Sequence, residues 1–197
     1  MRRIVAFDHV SADGYFAAPD GSLSWVIQDP EISKAAGEGM PQTGAILFGR
    51  KTYQMFEQFW PKAAESPNPP DPHGAQSSEG TKAMAVFLTE TPKLVFSKTL
   101  KDPKWKNTRV LAELDPRAIE KMKQEQGKDM MIFGSGQVAS LLTQHRLIDE
   151  YQLVVSPLLL GGGRTWLNGM PSSVKLKLLE AKPFASGNVI LRKETHG

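Results

Sequence analysis

The sequence predicts the α/β class, a mixed β-sheet covered by helices, and three observations carry that prediction. Short apolar runs alternate with helix-periodic segments through most of the chain, so that sequential strands are often parallel. Two of those runs empty into a glycine turn that opens a helix: Asp129-Met130-Met131-Ile132-Phe133-Gly134-Ser135-Gly136, and Ile46-Leu47-Phe48-Gly49-Arg50-Lys51-Thr52. The chain then closes on two strand-like runs, Lys175 to Ala181 and Asn188 to Lys193, with no helix between them. A hairpin there makes one edge of the sheet antiparallel.

The elements follow in order. Arg3-Ile4-Val5-Ala6-Phe7 reads as a strand, its alternation interrupted by Asp8. Ser11-Ala12-Asp13-Gly14 and Pro19-Asp20-Gly21 are turn signals. A short helix runs from Asp29-Pro30-Glu31 towards Gly37, with Asp29 as N-cap and Pro30 in the first helical position. Ala45 to Phe48 is a short apolar strand, and Lys51 to Trp60 places Tyr53, Phe56 and Trp60 on one helical face. Residues 61–80 carry Pro67, Pro69, Pro70 and Pro72 among Ser and Gly, the composition of a surface insertion. Strands are expected at Lys93 to Phe96 and around Thr108 to Leu111. A helix then opens at Asp115-Pro116, turns Ile119 and Met122 inward and stops at Gly127. After the second glycine turn Val138, Leu141 and Leu142 form another apolar face, and Tyr151 to Ser156 another strand. No internal repeat is present, and residues 1–197 are expected to form one domain.

Composition sets bounds. A chain of 197 residues with 40% hydrophobic and 23% charged residues suits one soluble globule with a sizeable core. A net charge of +3 without a dense Lys/Arg block argues against nucleic acid and for a basic cleft around a phosphorylated small molecule. Cysteine is absent, which excludes disulfides and thiolate chemistry. The four histidines, at 9, 73, 145 and 196, have no metal-ligand spacing, so no metal site is expected. No apolar run approaches the ~20 residues needed to span a bilayer, and the expected setting is cytoplasmic.

The glycine turns carry the chemistry. Glycine lets a backbone approach a phosphate closely, and the first helical N–H groups offer unpaired donors and partial positive charge. Gly134-Ser135-Gly136-Gln137-Val138-Ala139 satisfies a G-x-G-x-x-A pattern. It lies far down the chain, however, and Asp149 and Glu150 come too soon to be the ribose-binding acid of a Rossmann unit. A ligand-free tight turn is the competing reading. At the other junction Arg50 and Lys51 oppose the helix macrodipole unless an anion sits among them, the alternative being solvated charges on a first turn. Phe96-Ser97-Lys98-Thr99 adds hydroxyls and a cation after a third strand. A dinucleotide held between strand–helix turns accounts for all three.

In order, Ser11-x-Asp13-Gly14, Gly49-Arg50-Lys51-Thr52-Tyr53, Val95-Phe96-Ser97-Lys98-Thr99, Phe133-Gly134-Ser135-Gly136, Ile148-Asp149-Glu150 and Pro157-x-x-x-Gly161-Gly162-Gly163 resemble the dihydrofolate reductase fold. The resemblance is strongest to its RibD C-terminal, riboflavin-biosynthesis reductase-like branch and covers nearly the whole chain. It implies a three-layer α/β/α domain with a central mixed, mostly parallel sheet, homodimeric assembly, NADPH as cofactor and a small-molecule substrate. It also implies that Ser11, Gly14, Gly49, Arg50, Lys51, Thr52, Ser97, Lys98, Thr99, Gly134, Ser135, Gly136, Gln137 and Val138 bind the cofactor. The best-known activity of the branch is reduction of 5-amino-6-(5-phosphoribosylamino)uracil. The proton that accompanies hydride transfer has three candidate sources, Asp29, Glu31 and Asp13, with water competing. Two other functions share the fold: a NADP(H)-binding or sensing module with altered catalysis, and a reductase using flavin or deazaflavin.

Overall fold

The computed structural model describes residues 1–27, 29–69 and 79–195. An eight-stranded sheet forms its centre, built from β1 (Ile4–Ser11), β3 (Thr43–Gly49), β4 (Lys93–Phe96), β5 (Thr108–Leu111), β6 (Asp129–Phe133), β7 (Glu150–Ser156), β9 (Leu176–Pro183) and β10 (Val189–Thr195). Their order is β5-β4-β3-β6-β1-β7-β10-β9. Neighbours from β5 to β7 are parallel, whereas β10 runs antiparallel to both β7 and β9. The expected mixed, mostly parallel sheet with a terminal hairpin is therefore present. Two short strands, β2 (Tyr15–Ala17) and β8 (Arg164–Thr165), form a separate antiparallel pair.

Helices cover both faces. On one side lie α1 (Pro30–Gly37), α2 (Arg50–Glu65) and α3 (Glu79–Glu90), where Ile32, Tyr53 and Leu88 pack with Phe7, Phe48 and Phe133. On the other lie α4 (Pro116–Gln124) and α5 (Gly136–Gln144), where Ile119, Val138 and Leu142 pack with Ile4, Ala6 and Val10. Strand alternation divides β1 between these layers, while Ala45 to Phe48 on β3 is buried throughout, as expected of a strand covered on both faces.

The helix boundaries show which local signals prevailed. Asp29 and Asp115 each cap a helix, accepting the amides of Glu31 and Arg117, and each is followed by proline at the first helical position. The helical face of α2 matches the expectation at Tyr53, Phe56 and Trp60, with Phe48 and Phe56 rings 5.2 Å apart. The segment expected as a surface insertion over 61–80 is narrower than its composition suggested. α2 continues through Pro61 to Glu65, and α3 begins at Glu79. Packing of α2 and α3 on the sheet overrides the proline and glycine signals there. Pro70, Pro72 and His73 of that segment, and His196, lie outside the described residues.

The carboxyl end of α3 is closed by an unusual cap. Lys93 is fully buried, and its Nζ donates to the carbonyls of Leu88, Thr89 and Thr91 at 2.8, 3.0 and 2.8 Å. It also sits 4.4 Å from the centroid of the Trp105 ring. Burial pulls this ammonium down to about 8, so the three carbonyls and the indole face supply what water would otherwise provide. Lys93→Met keeps the aliphatic stem but strands those carbonyls. It is expected to lower unfolding free energy by about 2–4 kcal/mol in a denaturant titration.

Candidate active site

Because β1, β3, β4 and β6 are parallel, their carboxyl ends share one edge of the sheet, where ligands of open α/β sheets bind. A cleft of about 1940 Å³ opens there. Single-ligand pockets run roughly 300–1,000 Å³, so this one has room for a dinucleotide and a second molecule.

Side chains lock its two glycine turns together. The Ser135 hydroxyl accepts the Gly49 amide at 3.1 Å, and the Ser135 amide donates to Thr52 Oγ1 at 3.2 Å. Each hydroxyl keeps its own hydrogen and can still donate into the cleft. Gly134 and Ser135 both adopt left-handed conformations, at φ 54° and 50°. That is ordinary for glycine, but for Ser135 it is strain that the two hydrogen bonds offset. Gly136 also has a packing role. A Cβ there would lie 2.8 Å from the Trp166 carbonyl oxygen and 3.3 Å from the Phe16 ring, so the missing side chain admits the β2–β8 pair.

The expected cofactor residues divide into two groups. Gly49, Arg50, Lys51, Thr52, Ser97, Lys98, Thr99 and the run 134–138 all line the cleft. Arg50 is steadied by Gln54 at 3.0 Å. Ser97 Oγ accepts the amides of Thr99 and Leu100, which fixes the third turn. Lys98 is paired with Glu113 at 2.7 Å, an exposed contact that raises the lysine and lowers the carboxyl. Ser11 and Gly14 are not among the lining residues.

The three candidate acids also separate. Asp13 is outside the lining. Its carboxylate accepts from Ser11 Oγ at 2.6 Å and from the Leu160 and Gly161 amides at 3.1 and 2.7 Å. The Ser11 hydroxyl, then those amides, hold it below the usual carboxylate range, and it acts as a clasp on the glycine-rich segment before β8. Glu31 is exposed and also outside the lining. Asp29 lines the cleft, but both its oxygens are engaged: Oδ1 caps α1 at 2.9 Å and Oδ2 accepts Ser186 Oγ at 2.6 Å. A fourth acid, Asp8, lines the cleft from β1. Its signal in the sequence was an acid interrupting a strand's alternation.

Among the described residues no group of His, Asp and Glu could hold a metal ion, and no helix is long and apolar enough to cross a membrane. The family model of the RibD C-terminal domain matches residues 2–190. The chain belongs to that family. It is 27% identical over 193 residues to uncharacterized protein YyaP of Bacillus subtilis (strain 168), covering 96% of this chain and 93% of that protein. The fold matches a putative riboflavin biosynthesis protein from Shewanella sp. PV-4 with a TM-score of 0.73, at 17% identity and 99% coverage of both chains. It also matches the dihydrofolate reductase of Enterococcus faecalis, solved in complex with NADP(H), with a TM-score of 0.62 and 12% identity over 99% of this chain and 97% of that one. The dihydrofolate reductase-like architecture expected from the sequence is thus established.

Proposed function

We propose that this member of the RibD C-terminal family is an NADPH-dependent reductase of a small heterocyclic substrate. The observation that carries the reading is the pair of stapled turns, with Arg50 and Lys51 beside them and Lys98 on the next turn of the same cleft edge. The residues present fit a phosphorylated dinucleotide. Gly49 and Gly134 leave the approach open, the Ser135 and Thr52 hydroxyls retain donors, and the start of α5 presents amides and positive dipole. Gly49 to Thr52 and Gly134 to Val138 would hold the pyrophosphate, and Ser97 to Thr99 the adenosine end. NADPH, when bound, supplies a hydride. The chain's own task is to fix the substrate against the apolar wall formed by Phe7, Phe56 and Phe133 and to exclude water from it.

Arg50 is the better cation for a 2′-phosphate, because Lys98 already has Glu113 as partner. NADPH is expected to bind more tightly than NADH in fluorescence titrations. Arg50→Ala should weaken NADPH by about 1–3 kcal/mol and NADH by less. Equal affinities in the wild type reject the 2′-phosphate assignment. Turnover with a panel of pyrimidine and pterin substrates separates a reductase from a binding module.

The finer reading, reduction of 5-amino-6-(5-phosphoribosylamino)uracil, needs a cation for the substrate phosphate outside the cofactor turns. Among the described lining residues Arg164 is the cation so placed, its guanidinium lying against the Gly21 turn, where a Cβ would come within 3.2 Å. Arg164→Ala is expected to raise KM for the phosphorylated pyrimidine about tenfold or more while leaving the dephosphorylated one unchanged. An equal effect on both would remove the phosphate from this position.

A homodimer in the cytoplasm belongs to the same reading. The edge strand β9 exposes Leu178 and Leu179 at 54% and 41%, an apolar margin that a second copy would cover. Light scattering should give a mass near twice 21.7 kDa, and a 21.7 kDa species across micromolar concentrations would end the idea.

A further inference from the structure

Asp8 occupies a position that the fold alone gives no reason to make acidic. It lies inside β1, where its alternation partners Ile4, Ala6 and Val10 all join the apolar layer beneath α4 and α5. In register it faces Leu153 on β7. On the other side its neighbour Phe7 pairs with Phe133, the last residue of β6, so Asp8 stands level with the Gly134 turn. Oδ1 accepts the adjacent His9 amide at 2.9 Å. Oδ2 is closed off from solvent and has no hydrogen-bond partner among the described residues. A buried carboxyl oxygen without a partner is costly, and proteins keep such groups where a ligand completes them.

Burial pushes the Asp8 carboxyl well above the usual carboxylate range, against a smaller opposing pull from the His9 amide. No charge contributes to that shift. Asp129 and Glu150, on the flanking strands, are bound to the Arg3 amide and to the Arg3 and Arg192 guanidinium groups, and α5 carries no charged residue. The other charged side chains lining the cleft are Asp29, Arg50, Lys51, Lys98, Glu113 and Arg164, with His9 next in sequence. None offsets the burial. Burial therefore favours the protonated form of the group, and a protonated carboxyl is a donor as well as an acceptor.

We propose that Asp8 is a catalytic residue of the cleft, its carboxyl touching the heteroatom of the substrate's C=N or C=O bond and delivering the proton that completes the reduction. The inference rests on the reductase reading. In that step the substrate carbon takes a hydride, with its electron pair, from a dihydronicotinamide. The π electrons move to the heteroatom, the Asp8 O–H bond breaks, and a heteroatom–H bond forms. The resulting Asp8 carboxylate then recovers a proton from water. Neither Asp13 nor Asp29 offers this, since both are engaged as hydrogen-bond acceptors within the protein.

The stability consequence has a definite sign. Asp8 titrates higher in the folded chain than in the unfolded one. Between those two values the folded state holds more protons, so stability falls as pH rises through the window. Asp8→Asn removes that loss. Its melting temperature should therefore gain on the wild type as pH rises above the ordinary carboxylate range. Three measurements on the full chain then decide the proposal. NADPH titration of wild type and Asp8→Asn should give the same Kd. The wild-type infrared spectrum at neutral pH should contain a protonated-carboxyl band that Asp8→Asn lacks, and that band should shift when 6-methylpterin or 5,6-diaminouracil is added with NADP⁺. With any substrate turned over in the pyrimidine and pterin panel, Asp8→Asn should lower kcat about 10²-fold or more. NADPH binding with no such band, or with a band that neither probe moves, overturns the role of Asp8 and leaves the cofactor reading standing. Failure of both proteins to bind NADPH overturns the two together.

Discussion

The exchange of hydrogen bonds between Ser135 and the first turn of α2 is the constraint on which the cleft depends. β3 and β6 are neighbours in the sheet, so their carboxyl ends emerge side by side. Adjacent strand ends do not by themselves fix the loops beyond them. Here the Ser135 hydroxyl receives the Gly49 amide while Thr52 receives the Ser135 amide, and the two turns become one rigid unit. The bonds hold Ser135 in a left-handed conformation that a serine would otherwise leave. They also leave two hydroxyl hydrogens uncommitted beside the amino end of α5. A dinucleotide site needs several weak donors at fixed separations, and preorganisation is worth more there than any single contact.

That half of the molecule was legible in the sequence because its physics is local. Strand, glycine and helix start are contiguous, and so are the proline and acid that begin α1 and α4. What escaped depended on distant partners. The helix α3 was hidden by flanking proline, serine and glycine, and its burial of Thr81, Ala85 and Leu88 exists only because α2 and the sheet lie beneath it. The β2–β8 pair joins segments nearly 150 residues apart, since Tyr15 pairs with Thr165. Its presence gives Gly136 a packing role that the spacing alone could not distinguish from ligand approach.

The acids teach the same lesson with opposite outcomes. Asp13, Asp29 and Glu31 were attractive because each lies in a turn or at a helix start, near where a substrate was expected. Those are also the places where carboxylates satisfy backbone amides, and Asp13 and Asp29 do so. Asp149, likewise part of the family pattern, accepts the Ile4 amide at 2.7 Å and pairs with Lys123, and so ties the amino end of β1 to β7. Asp8 has neither a turn to cap nor a cation to meet, and in a linear reading it is only a flaw in a strand.

This asymmetry follows from how the two halves of the cleft are made. The side proposed for the cofactor is built largely from main-chain groups and residues that shape them, so its design is written in glycines, hydroxyls and helix starts. The side proposed for the substrate is built from side chains of α1, α2, α3 and β1 that converge only after folding: Phe7, Ile32, Phe56, Trp60 and Met84 among them. An apolar wall of that kind looks the same in sequence as any core face. What distinguishes the cleft in the folded chain is a carboxyl oxygen left without a hydrogen-bond partner on Asp8, the residue next to Phe7 on β1. A core would eliminate such a group, because replacing it with a neutral residue relieves the burial cost. The cleft keeps one nonetheless, beside that wall and level with the Gly134 turn.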